Sequence, residues 1–236
     1  ELLNRSNEDD NIKAILIRID SPGGAVVPSQ EIYDAVKKIK LSRKKKVVTS
    51  MGTVAASGGY YIAAASNYIM ANPGTLTGSM GVIMEMANFS ELLAKVGVES
   101  VTIKSGANKD AGSPFRKMTK EEHLLFQNVL DDVHDQFITA VSEGRSLDIN
   151  KVRKLADGRI FTGRQAQKEG LVDGLGNMED AIAKTAQMAG IVGKPHLVET
   201  QKGISFFKML QGRFPGAMGY FPGYFPSMRL NALLSY

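Results

Sequence analysis

Apolar positions in this chain recur in two alternating patterns. Ile12-Lys13-Ala14-Ile15-Leu16-Ile17-Arg18-Ile19 is almost continuously apolar and rich in β-branched residues, as in a strand buried on both faces. Asp20-Ser21-Pro22-Gly23-Gly24 ends it as a turn. Pro28 then opens a helix whose Ile32, Val36 and Ile39 fall at helical spacing. Val47–Met51 reads as the next strand, so residues 12–51 predict a strand–helix–strand crossover. A turn of small residues from Gly52 to Ser57 leads into an Ala-rich helix over 58–66. Further strands are predicted at 68–71, 81–84 and 98–104, with a helix over 89–96. The alternation specifies an α/β architecture of repeated β-α-β units.

The pattern changes after the loop Gly106–Pro114. Thr119-Lys120-Glu121-Glu122 is a capping-box sequence, and it opens a long helix bearing Leu124, Leu125, Val129, Val133, Phe137, Ile138 and Val141. Shorter helices are predicted near 149–156, 163–169 and 177–189, with strand-like 159–161 and 171–172 between them. Residues 1–200 are expected to form one domain and 201–236 an extended tail. The tail holds eight of the seventeen aromatic residues, and Pro215, Pro222 and Pro226 oppose regular structure over 214–227. Glu1 begins in what reads as the end of a helix, so an N-terminal anchor and a first strand are expected upstream.

Composition narrows the function classes. A 43% hydrophobic, 22% charged chain is that of a folded domain, and the absence of cysteine removes disulfides, a thiol nucleophile and Cys-ligated zinc. The net charge is +5, but Lys202, Lys208, Arg213 and Arg229 all follow the last acidic residue, Glu199. The body is thus near neutral, which argues against a groove that neutralises many phosphates and against a nucleic-acid partner. There is no H-E-x-x-H, no pair of histidines at metal-ligand spacing and no P-loop, so neither a metal nor a cofactor is expected.

The strongest chemical signal is Gly52-Thr53-Val54-Ala55-Ala56-Ser57-Gly58-Gly59. A serine at a strand-to-helix junction sits on a sharp turn, with the next N–H, that of Gly58, aimed where an oxyanion would develop. The same residues also fit a tight turn for helix–sheet packing, with Ser57 as an ordinary N-cap. Ser21-Pro22-Gly23-Gly24 offers a second free N–H at a strand end, where parallel sheets bind ligands. With His123, His134 and His196 far from these turns, a serine nucleophile needs another base. A lysine serves when desolvation brings its pKa down toward about 7. Lys109, among small residues, is a candidate for that role or an ordinary surface lysine.

Taken together, Arg18-Ile19-Asp20-Ser21-Pro22-Gly23-Gly24, Ala56-Ser57-Gly58-Gly59-Tyr60-Tyr61, Leu76-Thr77-Gly78-Ser79-Met80-Gly81-Val82 and Lys104-Ser105-Gly106-Ala107-Asn108-Lys109-Asp110 resemble the bacterial signal peptide peptidase A (SppA) family. Arg159-Ile160-Phe161-Thr162-Gly163 and Gly170-Leu171-Val172-Asp173 extend the match over about residues 1–190. Asn108 departs from it, standing where members often carry an aromatic residue, and the chain resembles a single-unit version about half as long as the duplicated members. The resemblance implies a Clp/crotonase-like fold and a membrane-anchored, extracytoplasmic serine endopeptidase with a Ser57/Lys109 dyad. In that scheme Ser79 orients the lysine, and the N–H groups of Gly24 and Gly58 form the oxyanion hole. Remnant signal peptides would lie extended along Ala25 and Val26 and along Met80, Gly81 and Val82. The resemblance also implies a homo-oligomer, with a site that a neighbouring protomer can complete. The end of the tail, Met228–Tyr236, is itself like a piece of signal peptide and is expected to be able to enter an active site. Two competing classes are a crotonase-like acyl-CoA hydratase or isomerase and a non-catalytic, membrane-associated assembly protein.

Overall fold

The structure is a computed structural model that describes residues 1–199 and 227–234. Its strands are β1 (Ile12–Ser21), β2 (Lys46–Ala56), β3 (Tyr68–Ala71), β4 (Leu76–Gly78), β5 (Ile160–Thr162), β6 (Gly174–Leu175), β7 (His196–Glu199) and β8 (Ser227–Leu234). Its helices are α1 (Leu2–Glu8), α2 (Val26–Ser42), α3 (Gly58–Ala64), α4 (Ser90–Lys95), α5 (Lys120–Arg145), α6 (Ile149–Leu155), α7 (Gly163–Glu169) and α8 (Met178–Met188). The chain divides into one unit made of residues 1–80 and 138–236 and a second made of residues 81–137.

The first unit is built on a mixed sheet with the order β5-β4-β2-β1-β8-β7, from which β3 and β6 branch beside β2. β1 and β2 run parallel, with Ala14–Ile19 opposite Lys46–Met51. Both are buried on both faces, as their unbroken apolar runs require. Leu16, Val48 and Met70 pack against Ala181 and Ala186 of α8. On the side of α2, Tyr33 meets Tyr61 edge to face at 5.0 Å and donates from its hydroxyl to the Ala140 carbonyl of α5 at 3.1 Å.

Two sequence expectations change in this unit. β2 does not stop at Met51 but continues through the small residues to Ala56. The Asp20 carboxylate fills an irregularity in the β1–β2 ladder: Asp20 Oδ1 accepts from Val54 N–H at 3.0 Å, and the register shifts between Ile19 and Ser21. Beyond it, Val54–Ala56 pair with Leu76–Gly78 of β4. The second change concerns the tail. Ser227–Leu234 is a strand lying between β1 and β7, antiparallel to both. Its backbone is therefore paired on both edges within residues 227–234. The aromatic run of the tail through residue 226 lies outside the described residues.

The second unit contains α4 and the first part of α5, joined by irregular chain. The strands predicted at 81–84 and 98–104 do not form: Ile83, Val101 and Ile103 are 82%, 79% and 97% exposed and have no ladder partner among the described residues. Glu122 and Phe137 are the only buried residues described in this unit. Ion pairs hold its loops, among them Lys117 Nζ to Glu91 Oε1 at 2.8 Å.

Candidate active site

Ser57 is the one residue between β2 and α3, and its backbone has φ 51° and ψ −123°. A residue with a Cβ occupies that region only when its surroundings force it, at a cost of about 1–3 kcal/mol. Here the force is a pair of hydrogen bonds. Ser57 N–H donates to the Gly78 carbonyl at 2.8 Å, and the Ser57 carbonyl accepts from Tyr61 N–H at 2.9 Å. The first tie extends the β2–β4 ladder by one residue and the second starts α3, so strand and helix meet with a single residue to make the bend. The side chain at such a bend points away from both elements, as at a nucleophile elbow.

The turn after β1 closes on the same place. Gly23 has φ +121°, and a Cβ there would lie 2.7 Å from Ser57 Cβ and 3.1 Å from both Ser57 Oγ and Gly58 N. Gly24 N lies 3.3 Å from the position a Cβ would take on Gly58. Gly58 itself has no room for one, because Ser29 Oγ occupies that space. Gly24 N–H makes no backbone hydrogen bond among the described residues. Gly58 N–H, the first of α3, has no intrahelical acceptor. The two N–H groups named from the sequence thus lie close to the serine, without a backbone acceptor among the described residues.

Ser79 adjoins the carbonyl that holds Ser57. It too has a positive φ, 49°, and its N–H donates to the Arg159 carbonyl at 2.8 Å. β5 pairs antiparallel with β4 and supports this bend. Arg159 in turn holds the Asp157 carboxyl down at about 2 by hydrogen bonding and charge. Of the expected substrate-contacting residues, Ala25 is the N-cap of α2 and Val26 is its first residue. Met80 is 1% exposed, and its carbonyl accepts from Gly158 N–H at 3.2 Å. Gly81 and Val82 lie in irregular chain of the second unit.

Lys109 also belongs to the second unit, on an exposed loop where its N–H donates to the Gly106 carbonyl at 3.1 Å. Its neighbour Asp110 is held well below the usual carboxylate range by hydrogen bonds from Arg116 and Lys104. Ser29 was missed from the sequence. It is buried, closes over Gly58 and donates to the Ala25 carbonyl at 2.9 Å. Its one sequence signal is a serine one turn into the helix that follows Gly24.

A strained serine thus stands beside the N–H groups of two glycines, at the end of a strand in a branched α/β sheet. Residues 39–192 match Peptidase family S49. The chain is 52% identical over 184 residues to "Putative protease slr0021" of Synechocystis, covering 78% of this chain and 66% of that protein. It is 44% identical over 180 residues to "Putative signal peptide peptidase SppA" of Enterococcus faecium, covering 76% and 52%. It is 34% identical over 189 residues to "Protease 4" of Haemophilus influenzae, covering 79% and 30%. The chain therefore belongs to Peptidase family S49, with that family's ClpP/crotonase-like architecture. It spans about two thirds of the Synechocystis protein and about half of the Enterococcus protein.

Proposed function

We propose that the chain is a serine endopeptidase in which Ser57 is the nucleophile and Lys109 the general base, hydrolysing remnant signal peptides and similar apolar peptides at a membrane. The observation that carries this reading is the backbone of Ser57, held at φ 51° beside the N–H groups of Gly24 and Gly58. Nothing in a simple helix cap calls for that strain, whereas an exposed nucleophile does. Membership of Peptidase family S49 supports the same chemistry.

In the proposed reaction a neutral lysine amine takes the proton of Ser57 as Oγ attacks the peptide carbonyl. The carbonyl oxygen becomes an oxyanion that accepts from Gly24 and Gly58 N–H. The lysine then gives its proton to the departing amine, leaving an acyl-serine ester. Water, deprotonated by the same lysine, attacks the ester and frees Ser57. Ser79 orients the lysine.

A base lysine needs dry surroundings, and Lys109 is exposed in the single chain. The reading therefore includes self-association, with a second copy covering the second unit and completing the site. The exposed Ile83, Val101 and Ile103, β-prone and unpaired, support that role. No helix among the described residues is long and apolar enough to cross a membrane, so the proposed anchoring with an extracytoplasmic catalytic domain rests on the family resemblance.

Labelling with a fluorophosphonate, followed by mapping of the modified residue, tests the assignment. Ser57 is expected to be labelled in wild type and not in Lys109→Ala, and both Ser57→Ala and Lys109→Ala are expected to lose peptide cleavage. Wild-type cleavage by either variant removes the dyad. Acyl-CoA binding without labelling would favour the crotonase-like alternative.

A further inference from the structure

The loop that carries Lys109 is tied down by ion pairs that the dyad chemistry does not use. Asp110 sits at the centre, with its side chain only 10% exposed. Its Oδ1 accepts from Lys104 Nζ at 2.5 Å, and its Oδ2 accepts from Arg116 Nε at 2.8 Å. Arg116 Nη2 also reaches the Asp110 carbonyl at 3.0 Å, and Lys104 Nζ reaches the Ala107 carbonyl at 2.9 Å. The loop is therefore gripped on both sides of Lys109. The far end of the grip is firm. Arg116 is forked onto Glu122, whose Oε2 accepts from Arg116 Nη1 at 2.9 Å and from Thr119 N–H at 3.0 Å. Glu122 is thus both an anchor for Arg116 and the reciprocal partner of Thr119 at the start of α5.

This arrangement matters because of what Asp110 would otherwise do. A carboxylate on the residue next to a base lysine is a ready ion-pair partner, and such a pair favours the ammonium over the neutral amine that can accept a proton. Here both carboxylate oxygens are already taken by other cations. Resting on the dyad reading, we propose that Lys104 and Arg116 are positioning residues. They hold the Lys109 loop to the start of α5 and keep Asp110 from pairing with the lysine. The charged groups facing Asp110 are Lys104, Arg116 and, through Arg116, Glu122.

The test compares the single variant Lys104→Met, the double variant Lys104→Met/Arg116→Met and the triple variant that adds Asp110→Asn. The acetylation rate of Lys109 by acetic anhydride is read by mass spectrometry, alongside the pH profile of peptide cleavage. In the double variant, Lys109 acetylation is expected to slow by about two- to fivefold, the effect of an exposed ion pair on the fraction of neutral amine. The acid limb of kcat/KM is expected to move to higher pH, with KM little changed. The single variant should lie between wild type and the double. Adding Asp110→Asn should restore both the acetylation rate and the position of the acid limb, although the loop stays loosened. Unchanged acetylation in the double variant, or slowing that persists in the triple, overturns the proposal. Should Lys109→Ala cleave normally, the dyad reading falls, while the acetylation series still decides whether Asp110 is masked.

Discussion

Gly23→Ala puts the site geometry at risk with a single methyl group. Gly23 sits at φ +121°, a conformation that L side chains rarely adopt, and its new Cβ would meet Ser57 Cβ at 2.7 Å. Carbon atoms pack at about 3.5–4.0 Å, so the overlap approaches an ångström and either the turn or the serine must move. Backbone strain of this kind costs about 1–3 kcal/mol. At about 2 kcal/mol, a chain of this size loses roughly 4–8 °C in Tm. Catalysis should suffer more than folding. The turn that shifts carries Gly24 N–H, and loss of one oxyanion donor typically lowers kcat by about 10²–10³.

The assay is kcat and KM on a fluorogenic apolar peptide, paired with a thermal melt of the same preparation. Gly74→Ala is the control, because a Cβ at Gly74 meets nothing within 4 Å and Gly74 lies away from the serine. Gly74→Ala should match wild type in both measurements. Gly23→Ala should remain folded at 25 °C, with KM within about threefold of wild type and kcat down by about 10²–10³. A folded Gly23→Ala enzyme with wild-type kcat would refute the assignment of this turn to the oxyanion.

Two further outcomes follow from buried and paired groups. Tyr60 is fully buried and its hydroxyl donates to the Leu171 carbonyl at 2.9 Å, so Tyr60→Phe strands that carbonyl and should cost about 1–3 kcal/mol in denaturant unfolding. An unchanged midpoint would contradict the bond. Glu122 has its carboxyl lowered from 4.5 to about 2, chiefly by the hydrogen bond from Arg116, so its contribution to stability is complete above about pH 4.5 and is lost as pH falls toward 2. Hydrogen exchange of residues 104–122 should accelerate over that window in wild type, and the acceleration should flatten in Glu122→Gln.

The sequence was legible wherever one element's own pattern decided its structure. β1, α2, β3 and the long α5 were read from apolar spacing, and Thr119–Glu122 was read as the capping box that the hydrogen bonds display. The reading failed where a neighbour decided. Gly52–Ala56 looks like a turn because its residues are small, yet β4 supplies a partner and Asp20 fills the irregularity, so the strand continues. Ser227–Leu234 falls within the expected extended tail because its own pattern is weak, yet β1 and β7 offer it edges on both sides.

The converse failure concerns 81–84 and 98–104, and it separates propensity from structure. β-branched residues fit a pleated surface, but that preference reports packing against a neighbouring strand rather than a property of the segment alone. Ile83, Val101 and Ile103 have the composition of a strand and, among the described residues, no strand beside them. At Ser57 the same dependence runs the other way. Ser57-Gly58-Gly59 permits a tight bend but does not require one. The bend is imposed by the Gly78 carbonyl at one end and the first turn of α3 at the other, 2.8 and 2.9 Å from their partners. The serine's backbone is therefore set by β4, and Ser79, just after it, is held by the Arg159 carbonyl just before β5. That is why the residues around the serine are spread over segments 21–24, 56–59, 77–80 and 159–163, whose order means little until the sheet joins them.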